Sequence, residues 1–463
     1  MENAVVELLA SQAGDGFAMA NDLVLEDLQK ALTAGYGTDA ATFTGGRALM
    51  PESLDTTLVS VLHTQEEAKL FQRLKKQPVS STVHQYVKRT EVGDDDGAFV
   101  AEGGNSQEKD QTLARKIVNM KYLQTKRQAT IQAVTANTIE DAMAIEQNAA
   151  TLWVIRNVEK TLFTGNSSFV TEQFDGLDAL LTTHVLDMRG GDATGSAFEN
   201  KVNESCRRIR DYFGKPSLML SSTMVMEDIQ KLLRDRIRVG TGEIVSGNVV
   251  FNAYPTKFGK PELEDDVFIK EGTTPVASTI TASRPGAPTI NSEAAGAHAS
   301  SEFAAADAGA YWYKVVAVNA YGDSTADTSS SAVTVASGDR VTLNVTEGSP
   351  AATAYKVYRS QKGAATAADC RYAFTVARTA ATQDIYDTNS FLPGTSSVYI
   401  LTMEALYNGI EWNQFLPMMK FPLFPTAAAV YPFLMLLFGA LNVKKEEQMV
   451  RIKNVAYSGM GWF

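Results

Sequence analysis

Four histidines, His63, His84, His184 and His298, are the side chains best suited to hold a metal or move a proton near neutral pH. Each stands alone, without a second His or Cys at the spacing a zinc site needs, so they read as ordinary surface or core histidines. Asp94, Asp95, Asp96 and Gly97 hint at a calcium loop but lack the rest of its ligand pattern, and a solvated turn suits them better. Gly190-Gly191-Asp192-Ala193-Thr194-Gly195 is glycine-rich, yet no Gly-Lys-Ser/Thr follows, so it is no phosphate loop. Arg207, Arg208 and Arg210, then Arg234, Arg236 and Arg238, form two basic clusters on helical stretches. A solvated face or subunit salt bridges account for them better than nucleic-acid contact. No Ser/His/Asp or Cys/His grouping is recognisable. The sequence therefore offers no catalytic residue, metal ligand or cofactor, and an enzyme is the weakest reading.

The elements that carry these residues are easier to read. Asn137 to Gly165 reads as one long helix. Asn137 or Thr138 can cap it, Glu140 and Asp141 complement its dipole, and Gly165 can stop it. Ile145, Ala149, Leu152, Ile155, Val158 and Leu162 recur at three- and four-residue steps as one apolar stripe. Such a helix, roughly 40 Å long at 1.5 Å per residue, suits a spine for thinner elements.

The chain has 463 residues, 44% of them apolar, and a net charge of −11. That is enough for real cores in two to four domains, and the acidic balance argues against general nucleic-acid binding. Cys206 and Cys370 lie far apart; a disulfide is not expected, and Cys206 falls on the stripe Val202, Cys206, Ile209, Phe213 as a core thiol. The first residues, with Glu2 and no basic run, make no secretory signal. The uncharged stretch Phe421 to Val443 is interrupted by Pro422, Pro425 and Pro432, which favours buried strand over membrane helix.

In chain order, residues 1–75 read as an extended arm with short helices, among them Asp22 to Leu32 and Gln65 to Leu74. Residues 76–130 read as a long polar hairpin, with strands Thr82 to Glu91 and Arg115 to Thr130 around a Gly- and Asp-rich turn. Neither strand shows a clean apolar face, and a lone hairpin is marginal in water, so it should lie on a neighbouring subunit. The spine helix occupies 131–170. An α/β stretch follows over 171–272: a segment Phe174 to Leu181, a helix capped by Ser196 with Glu199, the strand Leu218 to Ser221, a helix capped by Ser222, then strands Asn248 to Ala253 and Asp266 to Ile269. Residues 273–398 turn Ala-, Thr-, Ser- and Val-rich with β alternation at Tyr311 to Val318, Arg340 to Val345, Ala354 to Arg359 and Tyr372 to Ala377. They read as an inserted antiparallel sandwich. Residues 399–463 return to the host pattern, which turns helical again at Met403.

This order of arm, hairpin, spine helix, α/β domain and terminal strands resembles the major capsid protein of tailed bacteriophages, the Hong Kong 97 fold. Pro51-Glu52-Ser53-Leu54, Leu162-Phe163-Thr164-Gly165 followed by Phe174-Asp175-Gly176-Leu177, Ser217 to Leu233, Pro432 to Leu441 and Met449 to Val455 carry the resemblance. It implies an α+β fold with an extended loop and with peripheral and axial domains. It implies a chain that assembles with itself into hexamers and pentamers around double-stranded DNA, in the virion capsid, after synthesis in the host cytoplasm. A portal would be a further partner, and a chain opening at Met1 leads us to expect a separate scaffolding protein. No membrane contact is implied. Lys88, Arg89, Asp94, Asp95, Asp96, Arg115 and Lys116, in the extended loop, are the candidate assembly residues.

Some members of that family cross-link subunits through a Lys–Asn isopeptide bond. Lys88, Lys109 and Lys116 lie in or near the hairpin, but nothing pairs one with an Asn beside a catalytic Glu, so that chemistry is not carried over. The insertion has its own resemblance. Tyr311 to Ser324 and Ala354 to Ser360 look like strands of a fibronectin type III or immunoglobulin-like module in reversed order, either permuted or a looser sandwich. It is expected on the outer face, as decoration or as a weak binder of glycans or cell surfaces. Two other readings stay open: a nanocompartment shell of the same fold, and an adhesin with an Ig-like module.

Overall fold

The computed structural model describes residues 65–93, 96, 98–105, 108–136, 141–235, 251–269, 272–280, 282–404, 406, 409–425 and 428–462. The helix expected at Asp22 to Leu32, Pro51 to Leu54, His63, Asp94, Asp95, Arg236 and Arg238 lie outside the described residues.

The spine helix runs Ala142–Thr164 over 23 residues, about 35 Å. Its cap is Asp141, whose carboxylate accepts the Met143 N–H at 3.0 Å, in place of Asn137 or Thr138. Gly165 ends it with φ −60° and ψ 142°, not with the left-handed turn expected of a C-terminal glycine. Close approach explains the glycine instead: a Cβ there would lie 2.5 Å from the Phe174 carbonyl oxygen. The buried row is Ala150, Val154, Val158 and Leu162, a four-residue ridge flanked by Ile155 and Phe163. Ile145, Ala149 and Leu152 of the expected stripe are only half-buried.

This ridge packs on a four-stranded sheet in the order Lys76–Pro78, Ile410–Pro422, Val430–Val443, Lys121–Thr130. Phe433, Met435, Leu437 and Leu441 alternate onto the helix side, as a strand requires. Trp412, almost wholly buried, takes the rings of Phe71 and Phe174 edge-on at 5.5 and 5.2 Å. Pro432 sits inside its strand, and Pro417 marks the register break between Leu416 and Met419. Among the described residues, no helix is long and apolar enough to cross a membrane.

A second sheet orders Val185–Asp187, Val450–Val455, Ser396–Leu401, Leu218–Ser221 and Glu262–Asp265, with helices Ser196–Asp211 and Thr223–Asp235 packed against it. Two local expectations fail here. Ser196 is the first helical residue after a Gly195 cap, so its side chain caps nothing; Ser222 does accept the Val225 N–H, at 3.5 Å. The strand expected at Asp266 to Ile269 lies instead at Glu262–Asp265, because its parallel partner Leu218–Ser221 ends opposite Asp265. Of the stretch expected at Asn248 to Ala253, the described part makes only a bridge from Ala253 to Glu262. After Met403, among the described residues, the chain enters the Ile410–Pro422 strand where a helix was expected.

The long hairpin also differs from expectation. Its second strand is two strands: Thr112–Asn119 pairs with Val83–Glu91, and after Met120 the chain joins the four-stranded sheet as Lys121–Thr130. The ribbon proper is thus shorter than residues 76–130.

Within residues 289–387 two larger sheets enclose a core, to which a short two-stranded pair, Gly309–Tyr311 with Val333–Val335, adds Tyr311, Val333 and Val335. One holds Thr289–Ala297, Asp339–Thr346 and Thr382–Asp387; the other holds Gly322–Asp323, Tyr313–Asn319, Ala354–Arg359 and Arg371–Ala377, with Asp327–Thr328 beside Tyr313–Asn319. Val341, Leu343, Val345 and Ile385 of one meet Tyr313, Val315, Ala317 and Val357 of the other. A buried pair, Arg359 to Asp387 at 2.6 Å, ties the sheets, and the Tyr313 hydroxyl donates to the same carboxylate. Both ends of the segment meet on one residue: the Tyr372 N–H donates to Thr273 O, and Tyr372 O accepts the Gly394 N–H. Arg189 then fixes the segment to the host by donating to Glu302 and to the Asn389 carbonyl.

Removing part of the spine ridge tests its weight. Leu162→Ala should destabilise the chain by about 2–5 kcal/mol in denaturant unfolding; a change near zero would show that this contact does not hold the helix to the sheet.

Candidate assembly surface

The ribbon's strands pair antiparallel with Val83 opposite Asn119, Gln85 opposite Ile117, Val87 opposite Arg115 and Arg89 opposite Leu113. Strand alternation sorts its residues onto two faces. His84, Tyr86 and Lys88 with Lys116 and Val118 turn one way. That side is anchored to the chain's own body: the Tyr86 hydroxyl donates to Val443 O at 3.4 Å, and Lys88 Nζ sits 2.6 Å from Glu447 Oε1. Burial raises the Tyr86 pKa, and the carboxylates of Glu411, Glu447 and Glu446 push it further, so the phenol on this acidic seat stays protonated as a donor.

The other face carries Val83, Val87, Leu113 and Ile117, interleaved with Gln85, Arg89, Arg115 and Asn119. Val87, Leu113 and Ile117 are each more than half exposed. Beyond it Val92, Phe99 and Val100 are bare as well, Phe99 almost completely. Gly93, at φ +118°, opens the tip in a conformation that a side chain would strain. A second exposed apolar group crowns the long hairpin of the four-stranded sheet: Met419, Phe421, Tyr431 and, nearly bare, Phe424. Exposed apolar side chains grouped on one face in this way mark sites of contact with another macromolecule.

The structure separates the candidate assembly residues. Lys88 and Lys116 share the body-facing side, Arg89 and Arg115 the outward side, and Asp96 stands exposed in the tip. Arg89 donates to Gln111 at 3.4 Å. The sequence reading missed the outward apolar row, because it shows only when the register brings Val83 and Val87 diagonal to Ile117 and Leu113, each with a polar residue directly opposite. It also missed the body anchor, since Lys88 and Glu447 are 359 positions apart; the ribbon's inward side is thus held within the chain.

The side chains that could do chemistry are buried or dispersed. Burial pushes the Cys206 thiol up to about 11 and the Cys370 thiol up to about 12, which makes both poor nucleophiles near neutral pH. Burial lowers the His184 pKa, with Arg208 adding to the effect. Among the described residues, no group of three or more His, Cys, Asp or Glu could hold a metal ion.

The profile of the SU10 major capsid protein family matches residues 32–279, more than half of the chain. The chain belongs to this family. It is a bacteriophage major capsid protein, and its place is the capsid of the virion. The capsid protein is 27% identical to the major capsid protein of Staphylococcus phage K over 466 residues, covering 94% of this chain and 96% of that one. It is 26% identical to the putative major capsid protein of Enterococcus phage phiEF24C, covering 95% and 96%. A solved structure, the capsid of a native GTA particle computed with C5 symmetry, matches it with a TM-score of 0.50 at 9% identity, over 91% of this chain and 100% of that one. The capsid protein therefore has the Hong Kong 97-type α+β fold that its sequence resembles.

The anchor can be weighed directly. A double-mutant cycle on Lys88→Ala and Glu447→Ala should return a coupling of about 0.5–1 kcal/mol in unfolding experiments. A coupling indistinguishable from zero would remove the ion pair as the ribbon's fixing point.

Proposed function

We propose that this capsid protein closes into an icosahedral tailed-phage head of hexamers and pentamers around double-stranded DNA, and that the ribbon's outward face docks on a neighbouring copy. The observation that carries this reading is the apolar row Val83, Val87, Leu113 and Ile117, left in water by a chain whose cores are otherwise closed. An interface needs only about 800 Å² on each side. Closure of a shell makes many such contacts simultaneous, so individually weak ones add up to a durable particle. Arg89 and Arg115, on the same outward face, are placed to meet acidic groups of that neighbour. Asp94, Asp95 and Asp96 are assigned to the same loop contact from the other sign of charge. A net charge of −11 keeps the wall from adhering to packaged DNA, so the DNA is enclosed and not sequence-specifically bound.

The two-sheet segment between Thr273 and Gly394 is assigned as an immunoglobulin-like module displayed outside the shell, where it does not compete with DNA for volume. Its junction supports a fixed mount, since both ends meet at Tyr372 and Arg189 ties it to the host. A separate scaffolding protein and a portal are the further partners this reading takes from the family. The role is structural and not enzymatic.

Val87→Asp with Ile117→Asp tests the docking face. An aspartate forced into a dry contact costs about 2 kcal/mol or more, while in the free chain both positions are solvated. The double variant should keep its circular dichroism spectrum and fail to give particles in light scattering and negative-stain microscopy. Wild-type particles from that variant would overturn the reading. Particles of the unaltered chain that carry enzyme cargo and no nucleic-acid absorbance would favour a nanocompartment instead.

A further inference from the structure

Glu159 is an acid on the buried side of the spine helix, next to the ridge residue Val158, and it is 0% exposed. Its Oε1 accepts the Leu70 N–H at 2.8 Å and its Oε2 the Phe71 N–H at 3.0 Å. Those N–H groups belong to the first turn of the short lead-in helix Lys69–Arg73, where a helix supplies no internal partner. Asp266, also 0% exposed, stands within hydrogen-bonding reach of Glu159. Its Oδ1 accepts the Phe268 N–H at 2.8 Å, and its own N–H donates to Ser221 O at 2.9 Å. Its Oδ2 is buried and meets no N–H or O–H donor among the described residues.

Two ionised carboxylates cannot share so small a dry space: both would be desolvated and they would repel. One proton between them removes a charge, gives the orphaned oxygen a partner and leaves Glu159 oxygens for the two backbone donors. Burial raises Glu159 well above the ordinary carboxylate range, with the Asp266 charge adding to it, and burial raises Asp266 too. The surrounding cations do not supply an alternative. Lys69 is paired with Asp265 at 2.7 Å, and Arg73 with Glu262 at 2.7 Å and with Glu264. Lys76, which faces Glu159 from the edge strand, turns its Nζ to the Phe71 and Gln72 carbonyl oxygens.

We propose that Glu159 and Asp266 hold a single proton in common, and that this proton is a clasp joining the spine helix, the lead-in helix and the turn after Glu262–Asp265. Both groups bind a proton more tightly in the folded chain than in the unfolded one. The clasp is therefore complete at and below the ordinary carboxylate range, and weakens as pH rises through the pair's own titration. Its opening frees the Lys69–Arg73 helix. That helix leads directly into Lys76–Pro78, the edge strand of the four-stranded sheet, ahead of the ribbon. The capsid protein thus carries an alkali-sensitive joint at the root of its assembly arm.

Hydrogen exchange of the full chain between about pH 6 and about pH 9 tests this, reading the Leu70 and Phe71 amides against the Val154 and Val158 amides of the same molecule. In the unaltered chain the relative protection of Leu70 and Phe71 should fall about tenfold per pH unit once the pair titrates. In Asp266→Asn the amide donates to Glu159 without a titrating proton, so the ratio should stay flat. A flat ratio in the unaltered chain, or an equal fall in Asp266→Asn, overturns the proposal. Should Asp266→Asn not fold, infrared spectroscopy of the unaltered chain decides: the carbonyl band of a protonated carboxylic acid at neutral pH supports the clasp, and its absence at neutral pH overturns it.

Discussion

One contact organises the molecule: the ridge Ala150, Val154, Val158 and Leu162 pressed onto the sheet side that carries Trp412, Phe433, Leu437 and Leu441. At about 25 cal/mol per Å² of apolar surface removed from water, such a face outweighs any ion pair in the structure. It also explains why the remaining elements can be thin. The lead-in helix is only five residues long, yet Glu159 of the spine holds its first turn and the Phe71 ring rests on Trp412. The ribbon leaves this platform from both sides, from the edge strand at Pro78 and back into the sheet at Lys121.

A chain built this way is closed in its cores and open along one arm. Inside, apolar residues of both main sheets and of the inserted segment find partners. On the ribbon, Tyr86 and Lys88 hold the inward side to the body, whereas Val87, Leu113 and Ile117 face water. The intramolecular anchor does not weaken the case for assembly. By fixing the ribbon's inward side it orients the outward row and lowers the conformational entropy that the proposed docking must overcome.

Much of this was legible in the sequence, for identifiable reasons. Spacing of three and four residues shows the spine helix, and alternation shows Arg340 to Val345, Ala354 to Arg359 and Tyr372 to Ala377. Three prolines point to strand over membrane helix between Phe421 and Val443, where Val430–Val443 is a strand. Boundaries were less legible, since several polar residues before Ala142 are comparable caps by type, and the cap is Asp141. The break at Met120 was not legible at all. Thr112–Asn119 and Lys121–Thr130 look alike locally, and only the distant Val430–Val443 strand tells them apart. Glu159 was hidden for the same reason: an acid on a helix reads as solvated until its partners, at Leu70, Phe71 and Asp266, are in place. Long-range pairing, not local preference, decides those positions.

The central claim is that the ribbon completes its burial on another copy. Equal amounts of isotopically light and heavy chains, mixed, assembled and cross-linked through lysine, test it most directly. Lys109, exposed at the ribbon's tip, should then form links whose two halves differ in isotope, at the frequency of random mixing. Links from Lys109 that join only halves of one isotope would leave the ribbon without a neighbouring copy and contradict the account.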